Sequence, residues 1–166
     1  MEPTFTYPTL DKIARYEQFI SDFLPYIAGE NEEVSVLANT TAALRQAFGW
    51  FWIGFYLVRK EQLILGPFQG DVACYRISKG RGVCGTAWTE ATTQVVPDVE
   101  KFPGHIACSS SSRSEIVVPI VYDGTVRAVL DIDSDTLSTF DDTDRHYLEI
   151  LCHHLSQGLY GERKHA

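Results

Sequence analysis

A chain of 166 residues with 45% hydrophobic and 22% charged side chains has the size and proportions of one globular domain, which argues against disorder and against a fibrous repeat. The formal net charge of -8 and the lack of a clustered Lys/Arg surface exclude a nucleic-acid partner from the expectation, because phosphate binding needs such a surface. The longest apolar run, Trp50 to Val58, falls far short of the ~20 residues that cross a bilayer. The first residues carry no basic segment leading into an apolar core, so a cytoplasmic protein with no membrane partner is expected.

Between Pro8 and Ala28, Ile13, Tyr16, Ile20, Phe23 and Ile27 recur at three- and four-residue steps, which predicts a helix with one buried stripe that stops at Gly29. Val34, Leu37, Thr41, Leu44 and Phe48 repeat the pattern and predict a second helix over 31–48. Trp50–Val58 and Gln62–Pro67 flank a short polar connection and predict an antiparallel hairpin. The stretch from Phe68 to Ser114 is rich in Gly, Cys and Ser, with a short helix at Val83–Thr89 and a strand at Thr93–Val96. Long irregular segments of this kind in compact domains are usually functional. Ile116–Tyr122 and Thr125–Ile132 flank Asp123-Gly124, a strong hairpin signal. A last helix over 142–160 turns Tyr147, Leu148, Leu151, Leu155 and Leu159 inward, with Asp141 and Asp144 as its start signal. Helices at both ends around antiparallel hairpins give an α+β fold, read as one unit over 1–166.

Four cysteines in a reducing compartment point to metal binding or catalysis rather than to a disulfide scaffold. Cys74, Cys84, Cys108 and Cys152 contain no Cys-x-x-Cys pair, so the spacing supports no structural zinc and no metal is expected. Cys152 lies among Leu148, Leu151 and Leu155 and reads as a small buried hydrophobe. The other three sit in the loop-rich middle next to Gly, Ser or Ala, where thiols stay reachable. Three buried structural thiols are an equally weighted reading there.

Asp131, Asp133 and Asp135 alternate at period two and project from one face of their strand. One reading is a solvated strand end. The other is a carboxylate cluster that holds a cation and keeps one acid protonated through like-charge repulsion. A calcium loop does not fit, because Thr136 stands where Gly is required and Asp142 where a bidentate Glu is expected. Trp50, Trp52 and Tyr56 share one strand face and Phe51, Ile53 and Phe55 the other, so one face can cover a ligand while the other meets the core. His105, three residues before Cys108, is a weaker candidate as a thiol base, and His153 and His154 read as a helix flank.

These residues, taken together, closely resemble the free methionine-(R)-sulfoxide reductases, enzymes of the GAF fold. The resemblance runs from Phe48-Gly49-Trp50-Phe51-Trp52-Ile53-Gly54-Phe55-Tyr56-Leu57 through Leu65-Gly66-Pro67-Phe68-Gln69-Gly70, Val72-Ala73-Cys74 and Gly80-Arg81-Gly82-Val83-Cys84-Gly85. It continues over Val95-Val96-Pro97-Asp98-Val99, Phe102 to Cys108, Ser114 to Ile120 and Leu130-Asp131-Ile132-Asp133-Ser134. It implies a GAF-like antiparallel sheet flanked by helices from both ends of the chain. It further implies that Cys108 is the catalytic thiol, Cys74 the main resolving thiol and Cys84 a third redox-capable cysteine. The family's acidic pocket maps onto Glu115, Asp131 and Asp133, and its aromatic wall onto Trp52 and Tyr56. Where the family commonly has an acid directly after the catalytic cysteine, Ser109 stands here.

The implied reaction suits these residue types. A thiolate attacks the sulfoxide sulfur only if the departing oxygen is protonated, so a neutral carboxylic acid is needed beside it. The remaining carboxylates would bind the ammonium of a free amino acid, and the loop from Cys108 through Ser109 to Ser112 would offer N–H groups to its carboxylate. A sulfenic acid on Cys108 would become a disulfide, and a thioredoxin-like reductant would reset it, with no cofactor. The competing expectation is a non-catalytic GAF domain that binds a small ligand or senses redox state. The oligomeric state stays open, with a homodimer through the N-terminal helices as one arrangement.

Overall fold

The computed structural model describes residues 1–161. Helix α1 (Lys12–Ile27) starts where the Asp11 side chain accepts a hydrogen bond from the Ala14 N–H at 2.9 Å, satisfying one of the free donors of the first turn. Its inward stripe is Tyr16, Phe19 and Phe23. Ile13, expected on that stripe, is 52% exposed, because Lys12 takes the inward place in the first turn and Ile13 lies about 100° round the helix from it. Lys12 Nζ pairs with Asp144, and Tyr16 donates its hydroxyl to Asp144 Oδ1 at 2.7 Å. Asp144 is fully buried, so this network fixes α1 on the start of the last helix.

Helix α2 (Glu33–Phe48) buries Val36, Leu37, Thr40, Thr41, Ala43, Leu44 and Ala47 and leaves Val34 in solvent. Its buried hydroxyls are satisfied within the helix, Thr40 by the Val36 carbonyl and Thr41 by the Ala38 carbonyl, both at 2.7 Å. Gly49 ends it in the left-handed conformation, with φ 68°.

Six strands follow with one further helix among them: β1 (Trp52–Arg59), β2 (Gln62–Gln69), β3 (Arg76–Ser78), α3 (Gly82–Glu90), β4 (Gln94–Val96), β5 (Ser114–Tyr122) and β6 (Thr125–Ser134). A short 3-10 turn (Val99–Lys101) follows β4, and helix α4 (Asp142–Tyr160) closes the fold from a capping box of Asp141 and Asp144. The strands form one antiparallel sheet in the order β3-β2-β1-β6-β5-β4. Strand β3 is not expected from the sequence, because its three residues lie in the stretch from Phe68 onward that reads as irregular and offer one buried apolar side chain, Ile77. Between Gly54 and Tyr56 the β1–β2 register slips by one, and the extra residue falls at Gly66-Pro67, where proline has no N–H to give the ladder.

Pleating assigns the two sheet faces to two cores. Ile53, Phe55 and Leu57 of β1, Ile116, Val118 and Ile120 of β5, and Ala128, Leu130 and Ile132 of β6 pack against α1, α2 and α4. Trp52 and Tyr56, Val117, and Val129 face the other way, toward α3 and the segments around β4. Trp50 does not share the face of Trp52 and Tyr56, contrary to the alternation read from the sequence. It precedes the strand and stacks on Phe48 at 4.4 Å between ring centroids, within the helix-side core. Cys152 is buried in that same core.

Candidate active site

The acidic residues are assembled by strand register. Asp133 of β6 lies between Trp52 of β1 and Glu115 of β5, and Asp131 lies between Gly54 and Val117. Glu115, Asp131 and Asp133 therefore project from the α3 side of the sheet, while Ile116 and Ile132 beside them enter the helix-side core. Asp135, expected to continue the row, is exposed and lies beyond the end of β6, so the strand alternation no longer applies to it.

Above this row lies a cavity lined by the three carboxylates, Trp52, Tyr56, the start of α3 from Arg81 to Cys84, and the loop residues Val72, Ala73, His105, Ile106, Cys108, Ser109 and Ser112. Trp52 forms its wall by lying across Gly54, where a Cβ would overlap the indole, and against Gly70, whose φ of 134° is a glycine conformation. Trp52 stacks on Phe68 at 5.3 Å and donates its indole N–H to the Asp71 carbonyl at 2.9 Å. Tyr56 donates its hydroxyl to the Cys74 carbonyl at 3.0 Å. The aromatic wall thus holds the segment that carries Cys74.

At the mouth, Cys74 and Cys108 are joined by a disulfide with a Cα–Cα distance of 5.5 Å, although 34 residues separate them in the chain. Cys84 is a free, buried thiol in the first turn of α3. Ser109 lines the cavity and its Oγ accepts from the Ser111 N–H at 3.2 Å. His105 Nε2 stands 3.9 Å from Glu115 Oε2, and burial holds its imidazole below its ordinary pKa.

Burial sets the electrostatics of the cluster. It pushes Glu115 well above the usual carboxylate range, and the charges of Asp131 and Asp133 push it further. Asp133 is raised by burial and by the charge of Asp131, with the nearby Ser112 hydroxyl acting against the rise. Asp131 is raised by burial, with the neighbouring Glu115 carboxyl and Cys84 thiol acting against the rise. The Cys84 thiol is driven well up by burial and by the same acids. Such an arrangement keeps protons on carboxyl groups at neutral pH and can pass one to an oxygen leaving a substrate. One donor atom each from Cys84, Glu115 and Asp131 lie within 4.8 Å of one another, a group able to hold a metal ion.

The structure brings together every residue singled out for the site: Cys74, Cys84, Cys108, Ser109, Glu115, Asp131, Asp133, Trp52 and Tyr56. Sequence reasoning gives no individual role to Val72, Ala73, Ile77, Arg81, Gly82, Val83 and Ile106, which complete the cavity. All but Ile77 fall within the runs that carry the family resemblance, but nothing in their residue types marks them apart from their neighbours until the loops fold over the acids.

Comparison with known proteins agrees with this architecture. The GAF domain family matches residues 30–159. The chain is 44% identical to the free methionine-R-sulfoxide reductase of Escherichia coli K12 over 90% of this chain and 92% of that one. It is 42% identical to the enzyme of the same name from Saccharomyces cerevisiae, over 86% and 84%. Among solved structures, the free methionine-R-sulfoxide reductase of Neisseria meningitidis in complex with its substrate superposes with a TM-score of 0.94 at 48% identity, covering all of both chains. The chain therefore belongs to the free methionine-R-sulfoxide reductases, oxidoreductases of the GAF domain family.

Proposed function

We propose that this protein, acting as one catalytic unit over its 166 residues, reduces free L-methionine-(R)-sulfoxide to methionine by a cysteine mechanism. The observation that carries the reading is the pairing of Cys74 with Cys108 at the mouth of a cavity floored by Glu115, Asp131 and Asp133. The reduced Cys108 attacks the sulfoxide sulfur as a thiolate. A carboxyl of the cluster, kept neutral by burial, protonates the oxygen as the Cys108–methionine sulfur–sulfur bond forms. The hydroxyl then passes from the methionine sulfur to the Cys108 sulfur while the sulfur–sulfur bond breaks with its electron pair on methionine, leaving methionine and a sulfenic acid on Cys108. The Cys74 thiol displaces the hydroxyl as water and forms the disulfide.

A thioredoxin-like dithiol returns two electrons and two protons by disulfide exchange and restores both thiols. Trp52 covers the S-methyl end of the substrate, and the ionised member of the acid cluster receives its ammonium. Backbone N–H groups of the loop from Cys108 through Ser109 to Ser112 receive its carboxylate. Cys84, buried beside Asp131, supports the cluster and serves as a reserve thiol. No described helix is long and apolar enough to cross a membrane, which suits a reductase that meets its substrate and its reductant in the cytoplasm.

The test is turnover of the two free methionine sulfoxide epimers with a thioredoxin system as donor. Consumption of the (R) epimer alone is expected. No turnover of either epimer would leave a domain that binds a ligand or senses redox state.

A further inference from the structure

Cys84 takes no bond-making step in the main reaction above and acts there only as a reserve thiol, yet it is buried beside the acids. It sits on α3, Glu115 on β5 and Asp131 on β6, so three rigid elements bring one sulfur and two carboxylates to a single point. We propose that Cys84, Glu115 and Asp131 form a binding site for a thiophilic divalent cation such as Zn2+, and that a cation bound there occludes the floor of the cavity.

Two independent observations support the site. The first is spacing: the three donor atoms lie within 4.8 Å of one another, and tetrahedral Zn–S of about 2.3 Å with Zn–O of about 2.0–2.2 Å places donors roughly 3.5 Å apart. Binding therefore draws the three side chains in on the ion. The second is an orphaned oxygen. Asp131 is 7% exposed, and its Oδ1 is buried without a hydrogen-bond partner. Leaving a carboxylate oxygen unpaired away from water is costly, and a cation removes that cost.

The donor set selects the ion. Calcium and magnesium take six or more oxygen ligands, whereas one thiolate with two carboxylates suits zinc and its neighbours in the transition series. Binding displaces two protons to solvent, one from the Cys84 thiol and one held by the Glu115–Asp131 pair, and changes no oxidation state. The fourth position faces the cavity, where water or His105, whose Nε2 is 3.9 Å from Glu115 Oε2, completes a tetrahedron. Only the expectation that cation and substrate exclude one another rests on the proposed function.

The experiment uses the full chain with the Cys74–Cys108 disulfide formed, so that Cys84 and Cys152 are its only free thiols. Co2+ is titrated in as an absorbing substitute for Zn2+. A thiolate-to-cobalt charge-transfer band in the near ultraviolet is expected, saturating at one equivalent, lost in Cys84→Ala, retained in Cys152→Ala and bleached by added Zn2+. Asp131→Asn in a chain that keeps Cys84 is expected to weaken Co2+ binding by at least about tenfold, which covers the case in which Cys84→Ala does not fold. Absence of the band in the wild-type chain, or its persistence in Cys84→Ala, overturns the site. The readout does not depend on turnover, so an inactive protein that binds cobalt through Cys84 and an active protein that does not are told apart.

Discussion

The hydroxyl of Tyr56 donates to the carbonyl oxygen of Cys74 at 3.0 Å, so a side chain on β1 holds the backbone of one half of the disulfide. Burial, followed by the charges of Asp131, Cys84, Asp133 and Glu115, drives the Tyr56 phenol far above its ordinary pKa, and it remains a donor across the working pH range. Tyr56→Phe removes the tether but keeps the ring in the cavity wall. The first turnover, which needs only Cys108 and the acids, is expected to stay within about twofold of wild type, while steady-state turnover with thioredoxin falls by roughly tenfold, the effect of losing about 1.4 kcal/mol of positioning. Rapid-quench measurement of the burst beside the steady-state rate checks this; an equal fall in both would place Tyr56 in the chemical step instead.

The cysteines divide by environment. Cys108 lies at the cavity mouth, whereas Cys152 is buried among the helix-facing residues, with its thiol raised by burial. Cys108→Ser is expected to abolish turnover while thermal unfolding stays cooperative, and Cys152→Ser to leave kcat within about twofold. Near-normal turnover by Cys108→Ser, measured as methionine released, would remove it from the role of nucleophile.

Room for the Trp52 indole depends on a missing side chain. A Cβ at Gly54 would overlap the Trp52 ring and come within 2.6 Å of Phe68 Cβ, so Gly54→Ala must turn the indole out of its place. An increase in KM of about tenfold or more is expected, with destabilisation of roughly 1–3 kcal/mol from overpacking. Unchanged KM and Tm would mean that Trp52 does not form the substrate wall.

Local periodicity makes part of the fold and site legible in the sequence, and it fails at element ends and where distant residues meet. Helix faces, the Asp123-Gly124 hairpin and the shared face of Asp131 and Asp133 follow from period and pleat, which depend on local backbone geometry alone, whereas Glu115 joins that row through the pairing of β5 with β6 and is implied beforehand only by the family resemblance. Trp50 was misplaced because alternation was carried past the point where the strand begins, and Asp135 because it was carried past the point where the strand ends. Ile13 lost its inward place to Lys12, a charged residue that pairs with Asp144, 132 positions further on. The meeting of Cys84 with Glu115 and Asp131 was invisible for the same reason. Metal-ligand reasoning from spacing looks for close pairs in sequence, and these donors come from three separate elements.

The buried acids carry a stability cost whose sign is fixed. Glu115 has a folded pKa well above its unfolded one, so the native state binds a proton that the unfolded chain has released. Stability associated with it is full below about pH 4 and is lost as pH rises toward its folded pKa. Glu115→Gln mimics the protonated form at every pH. In metal-free protein it is expected to raise stability at pH 7 and to change little near pH 4, because only at the higher pH does the wild-type carboxyl give up its proton on unfolding. Urea unfolding of both proteins at the two pH values measures this. A variant less stable than wild type at pH 7 would mean that Glu115 is ionised and paired in the native state.

Substrate choice follows from the same charges. If the ionised member of the cluster receives an ammonium, N-acetylation of the sulfoxide removes the charge it faces and leaves a buried carboxylate opposite a neutral amide. Glu115 and Asp131 are 6% and 7% exposed, with little water to compensate. An uncompensated charge at such depth costs several kcal/mol, so discrimination against N-acetylmethionine sulfoxide is expected to exceed ~10²-fold in kcat/KM, and peptide-bound sulfoxide should be rejected likewise. Asp133→Asn, which keeps the shape of the side chain, is expected to lower kcat/KM for the free substrate by a comparable factor, because it removes either the counter-charge or a proton carrier. The two roles separate by kinetics: loss of the counter-charge raises KM, whereas loss of the proton carrier lowers kcat in a single turnover. Similar kcat/KM values for free, acetylated and peptide-bound sulfoxide would show that the acids do not read the ammonium and that the protein acts as a general sulfoxide reductase.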